Sequence, residues 1–313
     1  MSMKTLTKLY ERLMKIYNDE EQMFKIGMGL KFLGVSLACT FSVIMFTYLL
    51  IRIDLIFFVA HGFPGALDFK EAFMDYIYSA FIYDEALWLF LSAIFIFCLG
   101  YYLSGVMIRP FKAIGQYCED KLNDKKNSYT PDFFSDLKLL TSFSVLFFTV
   151  IDEKASKNSK LEKMDVPTHF TRIHKPNFEK NFFFNYLFII IIFGLLSSLG
   201  IVVLNLEMRD QIYDLARKFL SNNHQVNYFL DEQFIIADIA VLFFIGLHLF
   251  LYFCLGVYLY SKVAVPAFAV FATMRSFLKG NYHNRVHLIG YYYLRNDCRK
   301  INKYLDHIQK NLT

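Results

Sequence analysis

Charged residues are scarce in this 313-residue chain, at 19 %, where soluble domains carry about 25 %. Glycine occurs 14 times and proline six, which excludes a collagen-like chain and, with so little charge, a disordered one. Cysteine occurs five times. The number is odd and no spacing fits a disulfide framework or a zinc site. No glycine-rich phosphate loop, nucleophile elbow, metalloprotease helix or kinase signature is present. No catalytic residue, cofactor or metal is therefore assigned, and no nucleic-acid partner is expected. Residues 1–25 are polar, and the first apolar run is too long for a cleavable signal.

What remains is hydrocarbon. Apolar residues make up 56 % of the chain, with 36 Phe and 21 Tyr. Four stretches exceed the roughly 20 helical residues that cross a bilayer core, at 32–51, 86–108, 182–206 and 234–260. Lys and Arg number six over 1–31, 13 over 109–181 and nine over 261–313, against two over 52–85 and three over 207–233. Positively charged flanks remain on the cytoplasmic side. The expected topology has both termini and the central segment in the cytoplasm and two short acidic loops outside. Leu6, Leu9, Leu13 and Ile16 recur at helical steps, with Lys8, Arg12 and Lys15 between them. They describe an amphipathic helix that lies on the inner leaflet or packs on the protein itself.

The chain also repeats itself. Residues 97–103 read Phe-Cys-Leu-Gly-Tyr-Tyr-Leu, and residues 253–259 read Phe-Cys-Leu-Gly-Val-Tyr-Leu. At the same offset of 156, Pro110 falls on Pro266. The expected fold is all-α, with four transmembrane helices in two parallel repeats around an axis along the membrane normal. Cys98 and Cys254 would be equivalent positions, facing each other or serving as small packing residues beside Gly100 and Gly256.

Each repeat ends in paired heptad runs. Val263, Ala267, Val270, Met274 and Phe277 are followed by a connector opening at Gly280, and then by Leu294, Cys298, Ile301, Leu305, Ile308 and Leu312. A short heptad helix cannot bury its seam alone, so partner helices are required. The first repeat carries a weaker copy: Met107, Phe111, Ile114 and Cys118, then Leu137, Leu140, Ser144, Phe147 and Ile151. Over 263–312 this arrangement resembles a HAMP domain, the helix–connector–helix relay of bacterial chemoreceptors and sensor kinases. The resemblance rests on Pro266, Gly280, the connector's Tyr282, Val286 and Leu288, and Ile301-Asn302. The acidic residue usual at the start of the second helix is missing; Leu294-Arg295-Asn296 stands there, with Asp297 nearby. The implied partition is an N-terminal helix over 1–31, a transmembrane hairpin over 32–108, and a degenerate HAMP-like pair over 109–156. A linker over 157–181, a second hairpin over 182–260 and a HAMP-like pair over 261–313 complete it. The Lys-rich linker reads as a solvated tether, with His169 and His174 as solvated side chains.

Asp238 and His248 are the only ionisable groups deep in an apolar run, which makes them functional candidates. They are ten residues apart, about 15 Å along a helix, and cannot pair. Asp238 lies near the outer end, where water can reach it, and His248 is expected to be neutral and bonded to a hydroxyl or carbonyl. His283 and His287 have no third ligand at useful spacing. The outside loops are too short for a folded sensor domain, and no kinase or cyclase follows the second tail. The resemblance thus implies a non-enzymatic regulatory subunit of the bacterial cytoplasmic membrane. Its input would come from membrane lipid or a partner, and its output would go to a separate effector. A self-contained pseudo-dimer and a homodimer are both open. The alternative is a scaffold subunit of a motor, secretion or division complex. The relay residues expected are Pro110, Pro266, Val270, Met274, Phe277, Gly280, Leu294, Cys298, Ile301 and Leu305.

Overall fold

A computed structural model describes residues 14, 17–79, 86–125, 127–131, 137–157, 159–171, 179–220 and 224–312. The N-terminal heptad positions Leu6, Leu9, Leu13 and Ile16 lie outside the described residues, as does His174. The regular structure among the described residues is helical, with no strand. In chain order the elements are α1 (Glu20–Ala60), α2 (Ala66–Ser79), α3 (Ala86–Leu122) and α4 (Lys138–Ser156). They continue with a short α5 (Thr168–Thr171), α6 (Lys180–Phe219), α7 (His224–Leu278), a 3₁₀ turn (Tyr292–Leu294) and α8 (Arg295–Leu312). Helices α1, α3, α6 and α7 are each long and apolar enough to cross a membrane. They run well past the apolar stretches, because amphipathic faces continue where hydropathy falls.

The chain divides into two compact units. The apolar unit comprises Gly29–Leu99 and Phe188–Leu255. At one end of it α1, α2, α6 and α7 close around Leu55, Phe58, Phe69, Phe73, Ile212 and Leu230. Further along, Cys39 and Val43 of α1 meet Ile201 of α6 and Val241 of α7. The α3 stretch is the least buried of the four apolar helices.

The terminal unit comprises Met1–Met28, Gly100–Leu187 and Gly256–Thr313. Its core is built by α3, α4, α7 and α8, with aromatic contacts radiating from α4. Phe148 meets Tyr117 of α3 at 4.4 Å and Tyr304 of α8 at 6.1 Å, while Phe143 meets Phe271 of α7 at 4.8 Å. Such pairs add to the burial of their own area.

Residues 159–167 run extended against this core, although their composition reads as a solvated tether. The Leu161 N–H donates to the Leu312 carbonyl at 2.6 Å, and the Met164 N–H donates to the Leu278 carbonyl at 3.0 Å. Leu161, Val166 and Phe170 are buried, and the His169 ring lies 3.9 Å from that of Phe170. The segment is a strap across the C-terminal ends of α7 and α8. Backbone hydrogen bonds fasten it, and these leave no mark on composition.

Candidate functional site

The heptad seams meet inside the terminal unit. Val263, Ala267, Val270, Met274 and Phe277 of α7 are each fully buried, as are Leu294 and Leu305 of the second run, with Cys298, Ile301 and Ile308 nearly so. In the earlier pair of runs Met107, Phe111, Ile114 and Cys118 of α3 are buried together with Leu137, Leu140, Ser144, Phe147 and Ile151. Spacing at steps of four and three puts these side chains on one stripe per helix, and the four stripes share one interior.

The connector after α7 is held at both ends. Gly280 opens it at φ +96°, a backbone region that other residues rarely enter. Asn302 of α8 then clamps it. Its Oδ1 accepts from the Val286 N–H at 2.8 Å, and its Nδ2 donates to the Val286 carbonyl at 3.0 Å. Arg285 reaches Asp306 and Gln309, both at 2.6 Å, and Tyr282 donates to the Leu161 carbonyl of the strap at 2.6 Å. His283 faces Gln309 at 3.0 Å in this non-helical stretch, so it shares no helix face with His287.

Pro110 and Pro266 are buried within continuous helices. A proline has no N–H, so the carbonyl four residues earlier loses its helical partner. For Pro266 that carbonyl belongs to Lys262, and the Tyr293 hydroxyl donates to it at 2.5 Å. Tyr293 sits in the 3₁₀ turn before α8 and stacks on Phe24 of α1 with ring centroids 3.9 Å apart. One side chain thus ties the proline position to the second heptad helix and to α1. Replacing Tyr293 by Phe keeps the stack but leaves the carbonyl bare. The expected cost is about 1–3 kcal/mol, read from thermal unfolding of the purified protein.

Asp297, in the first turn of α8, packs against Gly115 of α3. Burial pushes its carboxyl up to about 6, with Lys300 and Lys112 opposing the rise and Glu21 and Glu119 adding to it. Because the folded state holds this proton more tightly than the unfolded chain, stability falls as pH rises from about 4 to 6 and is then flat. Asp297→Asn removes that slope. The variant is expected to be more stable than the parent by about 3 kcal/mol at pH 7.5 and nearly equal to it near pH 4. Unfolding at the two pH values checks this. Nearby, Lys300 pairs with Glu119 at 2.7 Å and Arg295 with Glu20 at 2.6 Å.

In the apolar unit, His248 is fully buried, and its Nδ1 lies 2.9 Å from Ser198 Oγ. The Ser198 hydroxyl donates to the Gly194 carbonyl at 2.8 Å. The imidazole therefore donates from Nδ1, and its buried Nε2 is left without a partner. Asp238 is half exposed and lies 3.4 Å from Arg209, and the two candidates have no bond to each other. Cys98 and Cys254 are exposed, so neither is buried against the other. No protein family, curated protein or solved structure matches this chain.

Three features escaped the sequence. Asp54 belongs to the acidic segment 52–85, expected as an outside loop, yet it is fully buried and neither carboxyl oxygen has a partner. Ser36 joins Tyr252 at 2.7 Å and Ser197 at 3.1 Å, forming a hydroxyl chain across three helices. The stack of Tyr293 on Phe24 joins residues 269 positions apart in the chain. A polar residue at a helical step inside an apolar run was the available signal for Ser36 and Ser197.

Proposed function

We propose that the chain is a regulatory subunit of the bacterial cytoplasmic membrane with both termini in the cytoplasm. It passes a packing change through a HAMP-like bundle to a separate effector. The observation that carries this reading is that both pairs of heptad seams close on one another within a single chain. Contacts cross between the repeats: α3 touches α8 through Gly115 and Asp297, and α4 touches α7 through Phe143 and Phe271. A HAMP-like bundle needs two copies of its helix pair, and this chain supplies both. Further support comes from the offset of 156. The units divide at Gly100 and at Gly256, and Gly100, Leu103 and Pro110 are buried like Gly256, Leu259 and Pro266. Function by resemblance to a relay is an analogy, and the seams give it residues to test.

The strap favours a second reading. A segment that bonds to the ends of both α7 and α8 restrains any movement of one against the other, as suits a fixed strut in a larger membrane machine. Conservative seam substitutions separate the two. If the bundle relays, Met274→Leu and Ile301→Val shift the effector's output in opposite or graded senses while the amount of effector bound stays constant. A strut yields only losses, each in proportion to lost binding. Purification from the native membrane, with every co-purifying chain identified, supplies the effector for that measurement.

A further inference from the structure

The apolar unit contains a cavity of about 790 Å³ lined by α1, α3, α6 and Tyr252 of α7. Below it α1 and α3 come into close contact. A Cβ placed on Gly29 of α1 would stand 2.8 Å from the Phe97 carbonyl of α3, so the two backbones touch there, and the cavity is lined by the stretch of α1 after Gly29 and mostly by the stretch of α3 before Phe97. Five hydroxyl residues line it: Ser36, Thr40, Ser92, Ser197 and Tyr252. Each is already bonded within the protein. Ser36, Ser197 and Tyr252 bond in a chain that ends on the Phe32 carbonyl, Thr40 donates to the Ser36 carbonyl, and Ser92 donates to the Leu89 carbonyl. Walls whose polar groups are satisfied ask no hydrogen bond of an occupant, and the rest of the lining is largely hydrocarbon. The one charged lining residue is Glu207, just past the end of the apolar stretch of α6, as Trp88 stands at the start of that of α3. From Trp88 to Leu99 the cavity follows about 16 Å of helix, and from Phe193 to Glu207 about 21 Å. Both exceed half of a hydrocarbon core of roughly 30 Å.

We propose that this cavity holds one hydrocarbon chain of a membrane phospholipid whose amine headgroup lies at Glu207. An extended chain matches the length and the saturated walls. The lone carboxylate favours an ammonium over a phosphoglycerol headgroup, whose net charge is negative. The site needs the helices to span a bilayer and is independent of the relay, so a loss of output with the lipid still retained bears on the relay alone.

Gly200 lines the cavity, and a Cβ there meets nothing within 4 Å. Gly200→Phe therefore fills the space without striking the backbone, and Ala93→Phe fills it from α3. Gly246 also has open space around it but does not line the cavity, so Gly246→Phe serves as the control. The full chain is reconstituted into nanodiscs of equal phosphatidylethanolamine and phosphatidylglycerol, then released for native mass spectrometry. Helix content confirms that each variant is folded. One retained phospholipid is expected in the parent and in Gly246→Phe, with phosphatidylethanolamine enriched about fivefold, the scale of one exposed charge contact. Both filling variants should lose it, and Glu207→Gln should keep a lipid but lose the preference. Equal retention in either folded filling variant, or none in the parent, overturns the site. Equal retention of the two headgroups in the parent overturns the role of Glu207.

Discussion

Ile301→Asp is expected to open the helix bundle of the terminal unit while the apolar unit remains folded. Ile301 is 2 % exposed, on the seam of α8 between Cys298 and Leu305. An unpaired carboxylate there must either stay charged in hydrocarbon or take up a proton, and the loss on either route is about 4 kcal/mol or more. The bundle carries its own reporters, because Cys118 and Cys298 are buried free thiols in its core. In the parent, burial pushes the Cys298 thiol up to about 12, which keeps its reactive thiolate rare at neutral pH. A water-soluble maleimide should therefore label neither residue in the parent and both in Ile301→Asp. Ile301→Val removes one methylene at a cost of about 1 kcal/mol and should leave both protected. Protection of both thiols in Ile301→Asp would place the seam outside the core and remove the basis for a relay.

Periodicity made these seams legible. A stripe at steps of four and three can be buried in only one way by a short helix, so Val270, Met274, Leu294 and Ile301 could be placed from spacing alone. Hydropathy made the four apolar helices legible for the same kind of reason: twenty residues without charge leave a chain few alternatives. What stayed hidden lacks a period. The strap at 159–167 holds four charged residues in nine, its buried Leu161 and Val166 are five residues apart, and its anchors are backbone groups. Asp54 stands beside Arg52 at the start of the acidic segment 52–85, and neither neighbour signals burial. The helix that carries it continues past the apolar stretch into a second packed cluster that buries it. The cavity was equally invisible, since the apolar part of α3 has the same hydropathy whether it packs tightly or stands apart. Local pattern specifies which face of a helix is buried. It does not specify how closely that face is approached.

Gly115 shows how close one approach becomes, and Gly115→Leu is expected to have the second large effect. A Cβ on Gly115 would stand 2.8 Å from Asp297 Oδ1, 3.0 Å from its Cβ and 3.2 Å from its Cα. The first contact yields if the Asp297 side chain turns away, but the last is with backbone and yields only if α8 moves off α3. Interiors are packed too densely to absorb that shift locally, and overpacking of this kind costs about 1–3 kcal/mol or more. The side chain beyond Cβ would also drive the buried carboxylate from its position against α3, breaking the alignment that lets Lys300 meet Glu119. The double variant with Asp297→Gly separates this contact from general instability. Removing the Asp297 side chain clears the two nearest atoms, so the pair should regain about half of the stability lost by Gly115→Leu, a coupling that independent sites do not show. Thermal unfolding of the parent, both single variants and the double variant measures it. Strictly additive losses would mean that α3 and α8 do not meet at these residues. The intrachain bundle, on which the proposed relay depends, would then have to be abandoned in favour of pairing between two copies of the chain.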